Sequence, residues 1–151
     1  MVKLEKFSYK FLEKSWYWLN DPEVKYLTDT PDFTEEQQKK WFDSLGSDPT
    51  YQLWGISFSE MPIGVFGIKN IQLQKGEGEY WGYIGERTYR GKGIGRIVLQ
   101  SLIDYAKNKI GLLSLYLYVI EQNEIAINFY KSFDFIETGR ENGKIIMQKI
   151  L

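Results

Sequence analysis

The sequence contains no cysteine and no histidine among its 151 residues. Without cysteine the chain can form no disulfide and cannot carry an acyl group on a thiol, and without histidine it lacks the commonest general base and metal ligand. A Ser/His/Asp triad is therefore excluded, and no metal site is expected. Any catalysis must depend on positioning a reactive cofactor or substrate, with Tyr, Glu, Asp, Lys or backbone groups moving protons.

The sequence also lacks an excess of charge of either sign and any long apolar run. It has 19 Lys and Arg against 20 Asp and Glu, which argues against a general attraction for nucleic acid or for an anionic membrane. No stretch approaches the roughly 20 apolar residues of a membrane-spanning helix, and residues 1–6 lack the hydrophobic core of a signal peptide. We expect a cytoplasmic protein with no nucleic-acid or membrane partner.

What the sequence does contain is a large apolar and aromatic fraction. Hydrophobic residues make up 43% and aromatic residues 17% of the chain, and this length suffices to bury one core. No internal repeat, low-complexity tract or linker divides the sequence. We predict a single domain over residues 1–151.

The first third of the chain predicts a strand and two helices. Val2 to Phe7 alternates apolar and polar residues, and Ser8 can cap a helix that Asn20-Asp21-Pro22 ends. The predicted buried face of this helix comprises Phe11, Leu12, Ser15, Trp16 and Leu19. Glu23 to Phe33 is predicted as a loop, and Thr34 with Gln37 forms a capping box that begins the second helix.

From Tyr51 onward the pattern is typical of strands. Three runs rich in β-branched and aromatic residues predict an antiparallel meander: Tyr51 to Phe58, Ile63 to Leu73 and Glu79 to Ile84. Leu112 to Val119 is apolar at nearly every position, as in a strand covered on both faces. Ile136 and Lys144 to Ile150 supply one or two closing strands.

Two helices interrupt these strands. Ile94 to Ile110 predicts an amphipathic helix that ends at Gly111. Its predicted buried stripe comprises Ile94, Ile97, Val98, Leu102 and Tyr105. Asn123 can cap a further helix that carries Ala126, Phe129, Tyr130 and Phe133.

A glycine-rich turn, Arg90-Gly91-Lys92-Gly93-Ile94-Gly95, joins a predicted strand to a predicted helix. Glycines leave the backbone N–H groups uncovered, and a helix N-terminus attracts an anion, so this turn can hold a diphosphate. Arg90 and Lys92 can add attraction at longer range. A plain tight turn is the alternative interpretation, since such patterns also arise by accident.

The order of elements and two motifs resemble the GCN5-related N-acetyltransferase (GNAT) family over almost the whole chain. Arg90, Gly93 and Gly95 match the family's acyl-CoA turn, Gln/Arg-x-x-Gly-x-Gly/Ala. The second motif matches Asn123, Ala126, Asn128, Phe129, Tyr130 and Phe133. The resemblance implies an α+β fold in which about four helices flank a mixed, mostly antiparallel sheet of six to seven strands, in three α/β/α layers.

The opening stretch narrows the resemblance. Asn20-Asp21-Pro22-Glu23-Val24, with Trp41, resembles the branch that contains ribosomal-protein alanine, polyamine and amino-sugar-nucleotide acetyltransferases. The resemblance therefore implies an N-acetyltransferase that uses acetyl-CoA as co-substrate and a small-molecule amine as acceptor. Direct transfer is expected because no cysteine can hold the acetyl group. A homodimer is a possible assembly.

The resemblance also assigns the cofactor site and the acid. The strand end Tyr83-Ile84-Gly85 is expected to splay from the next parallel strand and to expose its backbone to the pantetheine. The whole turn from Arg90 to Gly95 is implied to bind the cofactor: Arg90, Gly91, Lys92, Gly93, Ile94 and Gly95. Asn123 and Asn128 are implied to contact the cofactor, although a helix cap and an exposed helix residue are the alternatives. Tyr130 is implied to protonate the leaving thiolate, and a core tyrosine is the alternative.

The proton acceptor and the amine site are less defined. Glu79 is the first candidate for the base, followed by Glu86, Glu121 and Asp29, and each of them could instead be a surface charge. A water chain through backbone carbonyls is a competing base. The predicted acceptor-binding residues are Tyr26, Asp29, Phe33 and Trp54. An amino sugar attached to a nucleotide is the preferred acceptor, with a protein N-terminus or a polyamine as alternatives, and a non-catalytic acyl-CoA sensor is the rival function.

Overall fold

One seven-stranded sheet, with helices on both of its faces, organises the protein. The computed structural model describes all 151 residues. The strands are β1 (Val2–Lys6), β2 (Gln52–Phe58), β3 (Met61–Gln72), β4 (Glu77–Ile84), β5 (Ser114–Ile120), β6 (Ile136–Glu141) and β7 (Lys144–Ile150). The helices are α1 (Tyr9–Asn20), α2 (Pro22–Leu27), α3 (Glu35–Ser44), α4 (Ile94–Tyr105) and α5 (Glu124–Lys131). None of them is long and apolar enough to cross a membrane.

The strand order is β1-β2-β3-β4-β5-β7-β6. Every neighbouring pair is antiparallel except β4 and β5, which run parallel. The connection between these two strands contains α4, as a parallel crossover requires. The predicted mixed, mostly antiparallel sheet is confirmed, and the tail forms two closing strands.

Two apolar clusters lie on opposite faces of the sheet and give the predicted three layers. The larger cluster has 19 buried residues and packs under α4, which contributes Val98, Leu99 and Leu102. The smaller cluster packs under α1 and contains Phe11 and Leu12. Because successive side chains of a strand point to opposite faces, neighbouring residues of β3 and β4 belong to different clusters.

The parallel strands β4 and β5 pair over only part of their length. Glu77 to Glu79 pairs with Ser114 to Tyr116. Beyond that point β4 continues to Ile84 and β5 to Ile120 without pairing to each other. The predicted splay is confirmed, and we call this opening the fork.

One element was predicted wrongly. Part of the segment Glu23 to Phe33, which we expected to be a loop, forms helix α2. The side chain of Asp21 accepts a hydrogen bond from the Val24 N–H at 3.1 Å, and Pro22 occupies the first turn. Proline fits this position because its fixed φ suits a helix start. Asp21 is both the C-cap of α1 and the N-cap of α2.

Some side-chain orientations also differ from the predictions. Trp18 is buried in place of Trp16, which instead packs on Phe33 with ring centroids 5.3 Å apart. Ile97, predicted to lie in the buried stripe of α4, is 53% exposed, while Leu99 and Ile103 are buried. These helices present slightly rotated faces, because packing against the sheet rather than apolar spacing alone decides which residues are covered.

The helix ends follow the predictions more closely. Both hydrogen bonds of the capping box between Thr34 and Gln37 are present. After α4 a wider helical turn continues to Ile110, and this helical segment ends at Gly111, whose φ is 83°. Ser8 precedes α1 as predicted, although its side chain makes no capping hydrogen bond.

Candidate functional site

A cavity of about 880 Å³ lies at the fork. The unpaired part of β4 and the end of β5 both contribute to its wall, including Gly82 and Ile84 on one side and Val119 on the other. Further lining residues come from the glycine turn and α5, and others from α2 and the loop that follows it. The cavity therefore brings together elements from both faces of the sheet.

The glycine turn is shaped to receive an anion. Gly91 and Gly93 have φ values of 71° and 80°, in the left-handed region that favours glycine. A Cβ added at either position would meet no atom within 4 Å, so the backbone is open to an incoming group. Gly93 is the N-cap of α4 and Gly91 lines the cavity. The turn therefore fits a diphosphate bound by main-chain N–H groups at a helix N-terminus.

Not every side chain of the glycine turn faces the cavity. Ile94 is buried in the main core, so only its backbone can face a ligand. Lys92 is exposed and lies outside the cavity wall. Gly95 lines the cavity, and a Cβ there would lie 3.7 Å from the Phe129 ring.

The Arg90 side chain is directed toward the protein rather than toward the open turn. Its Nε donates to the Ile84 carbonyl at 3.0 Å and its Nη2 to the Gly85 carbonyl at 3.3 Å. Its Nη1 lies 2.7 Å from Oε1 of Glu23. The guanidinium therefore holds the end of β4, a role that the motif alone did not reveal.

The two asparagines of the second motif have different environments. Asn123 lines the cavity, and its side chain accepts a hydrogen bond from the Ala126 N–H at 3.2 Å. It is thus the cap of α5. Asn128 lies on the exposed face of α5, outside the cavity wall. Its predicted contact with the cofactor has no support in this geometry.

Tyr130 lines the cavity from α5. Its ring packs against Tyr80, Phe129 and Phe135, with centroid distances of 6.1, 5.5 and 5.8 Å. Burial raises the pKa of its phenol to about 12. The group therefore remains protonated at every physiological pH and can act as a proton donor.

Glu79 occupies the last paired position of β4, where the fork begins. It is 9% exposed, lines the cavity and accepts a hydrogen bond from Asn70 Nδ2 at 2.9 Å through Oε1. Its Oε2 lies 3.8 Å from the Lys69 Nζ. A carboxylate with one oxygen held and the other loosely paired is suited to accept a proton from a bound amine.

The other carboxylate candidates for the base have structural partners. Glu86 accepts a hydrogen bond from the Trp18 indole at 3.0 Å, and Glu121 pairs with Arg140 at 3.5 Å. Both lie outside the cavity wall. Asp29 lines the cavity but lies 2.7 Å from the Lys144 Nζ. Of the four candidates, only Glu79 and Asp29 face the cavity.

The structure does not bring together the four residues predicted to bind the acceptor. Tyr26 is 57% exposed, Phe33 packs on Trp16, and neither lines the cavity. Trp54 packs on Tyr105 at 4.9 Å, on the opposite face of the sheet from Glu79. Only Asp29 of this set faces the cavity.

Sequence reasoning missed several residues of the cavity wall that belong neither to the glycine turn nor to α5, and we call this part of the cavity the acceptor wall. These residues are Leu27, Thr28, Tyr51, Trp81, Tyr118 and Lys144. Trp81 could have been found, because it lies two residues after Glu79 and a strand repeats every second residue. No local signal places Lys144 here, since its position depends on the pairing of β7 with β5.

Charges in the cavity wall are balanced in pairs. Three carboxylates face it, and each has a cation nearby: Glu23 with Arg90 at 2.7 Å, Asp29 with Lys144 at 2.7 Å, and Glu79 with Lys69 at 3.8 Å. The wall thus offers no surplus negative charge to a polycation.

The profile of the Acetyltransferase (GNAT) family matches residues 13–135, which include the larger part of α1, the glycine turn and α5. The chain is 25% identical to the acetyltransferase PseH of Campylobacter jejuni over 138 residues, covering 89% of this chain and 85% of PseH. It is 32% identical to the mycothiol acetyltransferase of Renibacterium salmoninarum over 113 residues, which are 72% of this chain and 30% of that longer protein.

The fold is also found in solved structures. The spermidine N-acetyltransferase of Vibrio cholerae, in complex with CoA and spermine, superposes with a TM-score of 0.89 at 18% identity, covering 99% of this chain and 95% of that one. PseH in complex with acetyl coenzyme A superposes with a TM-score of 0.77 at 19% identity, covering 99% of both chains. With the family profile matched over most of the chain, this protein belongs to the GNAT family and is an N-acetyltransferase that uses acetyl-CoA.

Proposed function

We propose that this enzyme acetylates the primary amine of a small neutral or amphoteric acceptor, with an amino sugar attached to a nucleotide as the preferred class. The observation that carries the proposal is the single cavity at the fork, in which the glycine turn, Tyr130 and Glu79 face the same space. Acetyl-CoA, when bound, supplies the activated acetyl group as a thioester. Because the chain has no cysteine, transfer from that thioester to the amine is direct.

Each of these residues has a distinct task. The N–H groups of the turn and of the first turn of α4 bind the diphosphate, and the helix dipole favours its negative charge. The unpaired backbone of β4 past Glu79 binds the pantetheine as a strand would. Glu79 accepts the proton that an alkylammonium must lose before its nitrogen can attack, and Tyr130 donates a proton to the departing sulfur.

The composition of the acceptor wall favours an amino sugar over a polyamine. Three aromatic residues, Tyr51, Trp81 and Tyr118, line this part of the cavity and offer flat surfaces for a sugar or a nucleobase. The paired charges leave no excess of carboxylates for a polycation. The similarity to the acetyltransferase PseH over most of both chains supports acetyl transfer without naming the acceptor, and the likeness to the spermidine enzyme, at 18% identity, concerns the fold alone.

The experiment is a thiol-release assay with acetyl-CoA and three acceptor sets: amino sugars with and without a nucleotide, polyamines, and peptides with free N-termini. We expect release with nucleotide-linked amino sugars and little release with spermidine. The matched control for each sugar is its N-acetylated form, which offers no free amine. A higher kcat/KM for spermidine than for every amino sugar would refute the proposed acceptor class, and CoA binding without release for any amine would favour the acyl-CoA sensor.

Three expectations from the sequence stay predictions: the single domain over residues 1–151, the cytoplasmic location and the homodimer.

Replacing Gly91 by Ala tests the diphosphate site. A side chain at φ 71° costs about 1–2 kcal/mol of backbone strain, and the added methyl group lies on the open surface that the anion must approach. We expect the Kd for CoA, measured by calorimetry, to rise about tenfold or more.

Gly111→Ala is the matched control for this change. Gly111 also has a left-handed φ, 83°, and open space around its missing side chain, but it lies outside the cavity wall. Both variants should lose similar thermal stability, and only Gly91→Ala should lose CoA affinity. Equal CoA binding by the two variants would count against the glycine turn as the diphosphate site.

Replacing Asp29 by Asn tests the acceptor wall. The change removes the carboxylate that lies 2.7 Å from the Lys144 Nζ and so alters the charge at this side of the cavity. We expect the KM for the acceptor to rise about threefold to fivefold, the size of one partly exposed ion pair, with the KM for acetyl-CoA unchanged. Asp32→Asn is the control, because Asp32 pairs with Lys25 outside the cavity wall. Equal kinetic constants for the two variants would remove Asp29 from the acceptor site.

A further inference from the structure

Arg90 joins the glycine turn to the end of β4 and to the distant helix α2. Its side chain donates hydrogen bonds to the carbonyls of Ile84, the last residue of β4, and of Gly85, and it forms an ion pair with Glu23 of α2, 67 residues away. Its side chain is 27% exposed and that of Glu23 is 48% exposed. A planar guanidinium can make several such contacts at once, because its N–H donors are fixed in a fork.

The end of β4 needs these donors. On the side of β3 it is held in place, because the Gly85 and Glu86 N–H groups both donate to the Ile63 carbonyl, at 2.7 and 3.2 Å. On the side of β5 there is no strand partner, since the β4–β5 pairing stops at Glu79. An unpartnered carbonyl in a partly buried place is costly. Arg90 supplies to Ile84 the donor that a neighbouring strand would have supplied.

Helix α2 belongs to the other side of the cavity. Glu23, Val24 and Leu27 line the cavity, and the loop that follows α2 carries Asp29. The helix has only six residues, so its position depends on tertiary contacts more than on its own hydrogen bonds. The pair between Glu23 and Arg90 is such a contact, and it joins the wall of the acceptor site to the strand end that borders the cofactor site.

We infer that Arg90 is a positioning residue. It holds the unpaired end of β4 in the shape that receives the cofactor, and through Glu23 it couples the acceptor-side helix α2 to that strand end. The part that concerns the cofactor rests on acetyl-CoA binding alone, whereas the part that concerns the acceptor also rests on the proposed function.

A neighbouring arginine provides the matched control. Arg87 lies 3.8 Å from Oδ2 of Asp21 and 3.7 Å from Oε2 of Glu23, is 65% exposed and donates to no carbonyl of β4. Arg87→Gln removes the same charge from the same region without touching the strand end. Any effect that Arg90→Gln has beyond Arg87→Gln therefore reports on the positioning of β4 and α2 and not on general electrostatics.

The test measures CoA binding by calorimetry and acceptor KM by thiol release for Arg90→Gln, Glu23→Gln and Arg87→Gln. We expect Arg90→Gln to weaken CoA binding about tenfold and to raise the acceptor KM as well. Glu23→Gln should raise the acceptor KM about threefold with a smaller change in CoA affinity. Arg87→Gln should leave both quantities within about twofold.

The double variant separates coupling from independent effects. If Arg90 acts on α2 through Glu23, adding Glu23→Gln to Arg90→Gln should not raise the acceptor KM further. Additive effects would overturn the coupling, and a folded Arg90→Gln protein that binds CoA as Arg87→Gln does would overturn the positioning role. Should Arg90→Gln not fold, Glu23→Gln carries the test, and an unchanged acceptor KM in that variant refutes the coupling. The wild-type enzyme is measured in the same assay. If it acetylates an amino sugar, the proposed function holds, and a negative result with the variants counts against the positioning role or the coupling alone.

Discussion

Replacing Tyr130 by Phe is expected to lower kcat roughly a hundredfold or more while leaving CoA binding nearly unchanged. The change removes one hydroxyl from the cavity and keeps the ring in its contacts with Tyr80, Phe129 and Phe135. Without the phenol no positioned group remains on α5 to protonate the departing sulfur. Thiol release gives kcat, and calorimetry gives the Kd for CoA.

The raised pKa of Tyr130 makes this expectation more specific. Burial stabilises the neutral phenol, so the pKa of about 12 in the folded protein exceeds the ordinary value of 10.0. The stability that this difference contributes is fully present below pH 10.0 and is lost as the pH rises toward 12. Tyr130 should therefore cause no loss of wild-type activity below about pH 10.

Tyr105→Phe is the control for Tyr130→Phe. Tyr105 packs on Trp54 and lies outside the cavity wall, so the loss of its hydroxyl should leave kcat unchanged. A kcat for Tyr130→Phe within a factor of about two of the wild-type value would leave Tyr130 as a core residue without a role in proton transfer.

Replacing Glu79 by Gln is expected to lower kcat at neutral pH about a hundredfold. The variant keeps the shape of the side chain and can still accept the hydrogen bond from Asn70. It removes the carboxylate at the start of the fork that takes the proton from the amine in the proposed mechanism. Activity should recover as the pH approaches the pKa of the free amine, roughly 10, because the acceptor then loses its proton without help.

Glu77→Gln is the matched control for Glu79→Gln. Glu77 lies two residues earlier on the same face of β4, but it does not line the cavity. We expect its pH–rate profile to match that of the wild type. If the profile of Glu79→Gln also matched, the proton would have to leave through ordered water, which is the competing base that the sequence left open.

The features that could be predicted from the sequence are those that local pattern decides. The glycine turn could be found because left-handed φ values at Gly91 and Gly93 and an exposed helix N-terminus require glycine. The capping box at Thr34 and the cap at Asn123 were also local and were confirmed. The order of such elements carried the resemblance to the GNAT family, which implied a mixed sheet of six to seven strands, and the structure has seven.

The features that could not be predicted depend on pairing between distant segments. Trp54 was placed in the acceptor site, but its pairing with Phe66 in the sheet turns it toward α4. The partnership of Arg90 with Glu23 and that of Lys144 with Asp29 join residues far apart in the chain. No periodicity within one segment contains that information, because it arises only when the sheet and α2 are assembled.

The short pairing of β4 with β5 leaves the two parts of the sheet joined by few backbone hydrogen bonds. Only three residue pairs join the four strands β1 to β4 to the three strands β5, β7 and β6. The backbone ladder is therefore weakest along this seam, and the apolar cluster under α4 must carry the cohesion between the two halves. Leu99 of α4 is completely buried in that cluster, so its packing contributes to the cohesion that the short β4–β5 ladder does not supply.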